Sequence, residues 1–82
     1  MGVSDLSTQE KIDILERELV ELSGPLGRFV IKKQLKEMGM ERDTLPLERL
    51  VELVERSVKN AVFNEEDQRK ASGRIKKMIT DA

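Results

Sequence analysis

Apolar residues recur at three- and four-residue steps in four stretches, and each stretch is bounded by glycine, proline or a short polar corner. Ser7-Thr8-Gln9-Glu10 matches the capping box, in which a serine hydroxyl and a glutamate carboxylate satisfy each other's backbone amides. This predicts a first helix over 8–22, with Ile12, Leu15, Leu19 and Leu22 as its seam and Glu16, Arg17, Glu18 and Glu21 outside. Ile14 and Val20 lie off that seam. A second helix is predicted over 25–38, closed by Gly39, with a broad apolar face of Leu26, Phe29, Val30, Ile31, Leu35 and Met38. That breadth exceeds contact with one neighbour and predicts a central helix.

The third helix is predicted over 46–62, with Leu47, Leu50, Val51, Val54, Val58, Ala61 and Val62 turned inward and Glu48, Glu52 and Glu55 outward. Leu45, Leu53 and Phe63 fall on its rim. Asn64-Glu65-Glu66-Asp67 is a helix start, an asparagine cap followed by acids in the first turn, so a fourth helix is predicted over 65–80. Its apolar set, Ala71, Ile75, Met78 and Ile79, is thin, and Gly73 costs about 1 kcal/mol relative to alanine. This helix is expected to lie loosely on the others or to need a partner chain. The fold class that follows is all-α: a small three- or four-helix bundle forming a single domain over 1–82, with 1–6 disordered.

Between the first two helices, Ser23-Gly24-Pro25-Leu26-Gly27-Arg28 makes a corner. Gly24 suits the left-handed residue that ends a helix, Pro25 the first position of the next, and Gly27 a close approach of two helices. An anion site is the alternative, because a helix start beside Arg28 presents free amides. The corner lacks the glycine and lysine spacing that cradles nucleotide phosphates, so turn and packing duties explain it better.

Composition narrows the chemistry. The chain has no Trp, Tyr, Cys or His and two Phe among 82 residues, so its core must be aliphatic and it lacks thiolate or imidazole ligands and the usual neutral-pH base. Zero cysteine fits a cytoplasmic location, and Met1-Gly2-Val3-Ser4-Asp5 does not resemble a signal peptide. Glu48, Glu52 and Glu55 share a face, but di-metal carboxylate bundles also use Glu-x-x-His pairs. The serines have no histidine partner, and most are expected at caps or on polar faces. No enzyme, cofactor, metal or membrane role is expected.

Formal charge is −1 overall, yet it is patterned: −4 over 1–24, +3 over 25–39, −4 over 40–67 and +4 over 68–82. If sequential helices are neighbours, unlike charges stand side by side and select the topology. Arg28, Lys32 and Lys36 form a stripe on the second helix with Lys33 beside it, and Arg69, Lys70, Arg74, Lys76 and Lys77 crowd the fourth. Both are candidate basic surfaces, able to meet nucleic-acid phosphates or to pair with the glutamates of the first and third helices. Ile14, Val20, Ile31, Leu45, Leu53 and Phe63 lie at or beyond the edges of the inner faces and are the candidate interface, with a wide core in a four-helix monomer as the alternative.

Gly24-Pro25-Leu26-Gly27-Arg28-Phe29-Val30-Ile31-Lys32-Lys33 resembles the start of a small helical module at the ends of prokaryotic signalling proteins, including some kinase tails. Leu19, Leu22, Leu50, Leu53 and Phe63 extend the resemblance over about residues 12–66. It implies a non-catalytic interaction or regulatory role and brings no active site with it. The expectation is therefore a protein-interaction domain that self-associates, with a homodimer as the first assembly. A nucleic-acid-associated regulator using the basic faces of helices 2 and 4 is the alternative.

Overall fold

The computed structural model describes residues 7–81. The predicted disorder of 1–6 lies outside the described residues. Four helices follow one another: α1 Thr8–Ser23, α2 Leu26–Glu37, α3 Leu47–Ala61 and α4 Glu65–Asp81. The bundle is thus four-helical, and every boundary falls within one residue of the sequence expectation.

Local chemistry explains the boundaries. Ser7 Oγ accepts from the Glu10 amide at 3.2 Å, and the Glu10 carboxylate accepts from the Ser7 amide at 3.0 Å. The Asn64 side chain accepts from the amides of Glu66 and Asp67 at 2.9 and 3.1 Å. Gly24 stops α1 with φ +73° while its amide donates to the Val20 carbonyl at 2.8 Å. Gly39 stops α2 with φ +68°, its amide donating to Lys36 O and the Met40 amide to Leu35 O, which is the paired bonding of a Schellman turn.

The corner's second glycine is a packing device. A Cβ on Gly27 would lie 2.8 Å from the Leu19 carbonyl carbon and 2.9 Å from Leu19 Cβ and Val20 N. Only a bare α-carbon lets α2 cross the α1 backbone that closely. The Gly24 to Arg28 corner is therefore architectural in both parts, a stop and a crossing.

Sequential helices pack side by side, and α1 also packs on α3 and α4. Among the described residues α2 and α4 do not meet, so α1 and α3 form the middle of the bundle with α2 and α4 on opposite flanks. This corrects the expectation that α2 is central. Its broad apolar face is only partly used: Gly27, Ile31, Gln34 and Leu35 are buried, whereas Leu26 and Phe29 point to solvent.

The core is aliphatic, built on Ile12, Leu15, Leu19, Ile31, Leu50, Leu53, Val54, Val58 and Ile75. Helix α4 does not hang loose: Ala71, Ile75 and Ile79 are buried against α1 and α3. Its entry is tied down by Gln68 Nε2, which donates to the carbonyls of Lys59 and Val62. A thin apolar stripe suffices because three neighbouring residues in it are fully used and the rest of the helix is held by ions.

The charge alternation weakens once the helices are known. Acids outnumber bases five to two in α1, and bases outnumber acids four to one in α2, but α3 holds three of each and α4 five bases to four acids. The two acidic segments also touch, through α1 and α3. Contrast between neighbours survives mainly at α1 and α2.

Candidate interaction surface

Burial sorts the six candidate interface residues into three groups. Ile31, Leu45 and Leu53 are core residues, which corrects their assignment to a free surface. Ile31 and Leu53 lie at the edge of a single-helix apolar arc, but α2 and α3 each pack on more than one neighbour, so the buried arc is wider than one seam; Leu45 precedes α3 and is buried from the connection. Ile14 and Val20 are half-buried, with Ile14 against the core. Phe63 alone is fully presented, at 95% exposure.

Exposed apolar residues that periodicity assigned to inward faces gather around it. Leu22 at the end of α1, Leu26 and Phe29 at the start of α2, and Phe63 just past α3 are 43%, 64%, 67% and 95% exposed. With Val30, Ala61, Lys33 and Asn60 they line an open groove of about 390 Å³ at one end of the bundle. Both aromatic residues of the chain thus sit on one surface, and none is in the core. The signal available beforehand was the mismatch between an all-aliphatic core palette and two Phe flanking the helix corners.

A smaller groove of about 170 Å³ lies at the other end, where Leu47 and Val51 are exposed beside Leu50, Ile79 and the stem of Lys11. Both leucine and valine had been predicted to face inward. The arc of α3 is in fact centred on Leu50, Leu53, Val54, Ser57 and Val58, because a serine lies in the middle of it. Ser57 is the exception to the expectation for most serines: it is fully buried and its Oγ has no hydrogen-bond partner among the described residues. Ser7 and Ser23 do follow it, the first as a cap and the second bonding the Leu19 carbonyl at 3.0 Å.

The two basic surfaces differ in kind. On α4, Arg74 pairs with Glu18 of α1 at 2.7 Å, Lys76 with Glu55 of α3, and Lys70 with Glu66 at 3.3 Å. Arg69 and Lys77 are exposed and make no ion pair among the described residues. On α2, Arg28, Lys32, Lys33 and Lys36 are all exposed, and none has a carboxylate within 4.0 Å among the described residues. Because α2 and α4 flank the bundle on opposite sides, the two sets do not merge into one field.

Arg28, Lys32 and Lys36 border a groove of about 560 Å³, whose floor is Ile31, Leu35 and Met40. Its far wall holds Glu16, Glu41 and Arg42. Arg42 is bound to Asp13 and, at 3.4 Å, to Glu16, which staples the α2–α3 connection to α1. Among the described residues no group of three or more acidic, histidine or cysteine side chains converges as a metal site, and no helix is long and apolar enough to cross a membrane.

A family model described as Domain of unknown function (DUF8082) matches residues 10–79, spanning all four helices. No curated protein and no solved structure matches the chain.

Proposed function

The chain belongs to the family described as Domain of unknown function (DUF8082), a description that assigns no chemistry, and we infer from its own surface a non-enzymatic, cytoplasmic interaction domain of regulatory type that pairs with a second copy of itself. The observation that carries this is the placement of both Phe residues, with Leu22 and Leu26, on one solvent-facing groove. Aromatic side chains at the centre of an apolar patch are the usual anchors of protein interfaces. A folded chain of this size has no stability reason to hold both of them in water.

Area supports a second copy as the occupant. With about 200 Å² for a whole Phe, the four exposed side chains present on the order of 500 Å², at the upper end for a monomer's largest apolar patch. Two copies meeting there would remove about 1,000 Å², the lower bound for a specific interface, and the dimer proposed is a weak one, of roughly micromolar affinity. Lys33 is the one charged residue lining the groove, so a two-fold pairing meets little like-charge repulsion. The resemblance of residues 12–66 to helical modules of signalling proteins is in keeping with such a role.

Sedimentation velocity from about 1 to 200 μM spans that affinity range. The wild-type chain should move from 9.4 kDa towards twice that mass. Phe63→Ser and Leu26→Ser, at positions that contribute little to the core, should keep the helical spectrum and remain monomeric. A wild-type chain that stays at monomer mass throughout removes the second copy as the partner.

A further inference from the structure

Three of the four unpaired bases of α2 lie on a different side of that helix from the Phe63 groove, which takes only Lys33. Arg28, Lys32 and Lys36 stand at four-residue steps, about 6 Å apart along the axis, and so form a ladder about 12 Å long. All three are exposed and unpaired among the described residues, although the chain as a whole carries −1. Three acids of α1 are engaged elsewhere, Asp13 and Glu16 with Arg42 and Glu18 with Arg74, and Glu41 across the groove makes no ion pair with the ladder among the described residues.

Beside the ladder runs the 560 Å³ groove, floored by Ile31, Leu35 and Met40. Its volume matches a few side chains of a docked helix. The Schellman turn at Gly39 sets Met40 at its end through the 3.0 Å bond to the Leu35 carbonyl, and methionine adapts to the shape it meets. We propose that the groove between the Arg28, Lys32, Lys36 ladder and Met40 receives an acidic amphipathic helix of a partner protein, its carboxylates on the ladder and its apolar edge on the floor.

Two features favour a peptide over a phosphate backbone. Glu16 and Glu41 line the far wall, where they repel a ligand charged on all sides but tolerate one charged along a single edge. Neither Phe lines the groove, so bases would find no aromatic ring to stack upon. A helix with glutamates at four-residue steps repeats the ladder's spacing and meets it rung for rung.

The probe is a fluorescein-labelled amphipathic peptide of about 16 residues with Leu along one face and Glu at four-residue steps along its edge, titrated with the full chain. Micromolar binding is expected, weakening several-fold as salt rises from about 50 to about 300 mM. The triple variants Arg28→Gln/Lys32→Gln/Lys36→Gln and Arg28→Glu/Lys32→Glu/Lys36→Glu remove only exposed, unpaired side chains; both should stay folded and lose about tenfold or more in affinity. Amide shifts on Ile31, Leu35 and Met40 should accompany binding, and Phe63→Ser should bind as the wild type does, which separates this site from self-association. Absence of binding, equal binding of the same peptide with Lys for Glu, or indifference to both triple variants overturns the proposal. So does a single-stranded oligonucleotide that binds more tightly through the same residues, because it would reassign the groove to nucleic acid.

Discussion

One methyl group, added at three glycines, separates three physical effects. At Gly27 a Cβ would stand 2.8–2.9 Å from the Leu19 and Val20 backbone, against an ordinary carbon contact of about 3.5–4.0 Å. The obstacle is main chain within a helix, so α1 and α2 must separate by roughly 0.7–1 Å at their crossing. Such overpacking costs about 1–3 kcal/mol, and the preference of helices for Ala over Gly returns about 1 kcal/mol. Gly27→Ala should therefore lose up to about 2 kcal/mol net, lowering Tm by as much as roughly 15 °C in a domain this small. At Gly73 a Cβ meets nothing within 4 Å and φ is not positive, so the same change should gain about 0.5–1 kcal/mol and raise Tm by about 4 °C. At Gly24 space is again free, but φ +73° with ψ −157° lies in a region nearly reserved for glycine, and alanine should cost about 1–3 kcal/mol through the backbone alone. Urea and thermal unfolding at one fixed protein concentration read all three, since association itself shifts apparent stability. A Gly27→Ala as stabilising as Gly73→Ala would show that the helices do not cross at that distance, and the account of the corner would fail with it.

Further expectations concern the core, the caps and the ions. Leu53→Ala, at a residue first assigned to the rim but fully buried, should cost about 2–5 kcal/mol in chemical denaturation and leave little folded protein to assemble. Ser57→Ala removes a buried hydroxyl without a partner and should gain about 1 kcal/mol by the same measurement; a loss would mean that a bond or water satisfies that oxygen in solution. Ser7→Ala breaks the capping box and should cost about 1 kcal/mol, with faster amide exchange confined to the first turn of α1. Arg42→Gln should cost no more than about 1 kcal/mol, an effect that fades in high salt, because its pairs with Asp13 and Glu16 are partly solvated.

The parts legible in the sequence are those whose causes are local. Ser7 and Glu10, Asn64 with its following acids, Gly24 and Gly39 each act on backbone within a few residues, and each was readable because no distant element can change that chemistry. Burial was harder, since it depends on how many helices surround a given arc. Leu47 and Val51 continue the apolar periodicity of α3 but face the open end of the bundle, while Leu45 and Leu53 lie off the expected arc and are enclosed. Ser57 concealed the true centre of that arc, because a polar residue was taken to mark an outer face. The α2 bases posed the same difficulty in reverse: pairing with acidic neighbours was reasonable from charge counts, yet the acids of α1 nearest the bundle's seams are taken by Arg42 and Arg74.

On the proposed reading, stability and recognition are carried by different residue types. The core is closed with Leu, Ile, Val and Ala, and α4 completes it with three small or branched side chains and cross-helix ion pairs. Neither Phe and none of the α2 bases is needed for that closure. Residues free of folding duty can be exchanged at small cost, generally within about 0.5 kcal/mol for exposed positions. Substitutions at Phe63, Lys32 or Lys36 should then change binding at nearly constant stability, whereas substitutions at Gly27 or Leu53 should change both together. A Phe63 variant that unfolds at a markedly lower temperature, measured under conditions where the chain is monomeric, would place that ring in the fold and withdraw it from the interface.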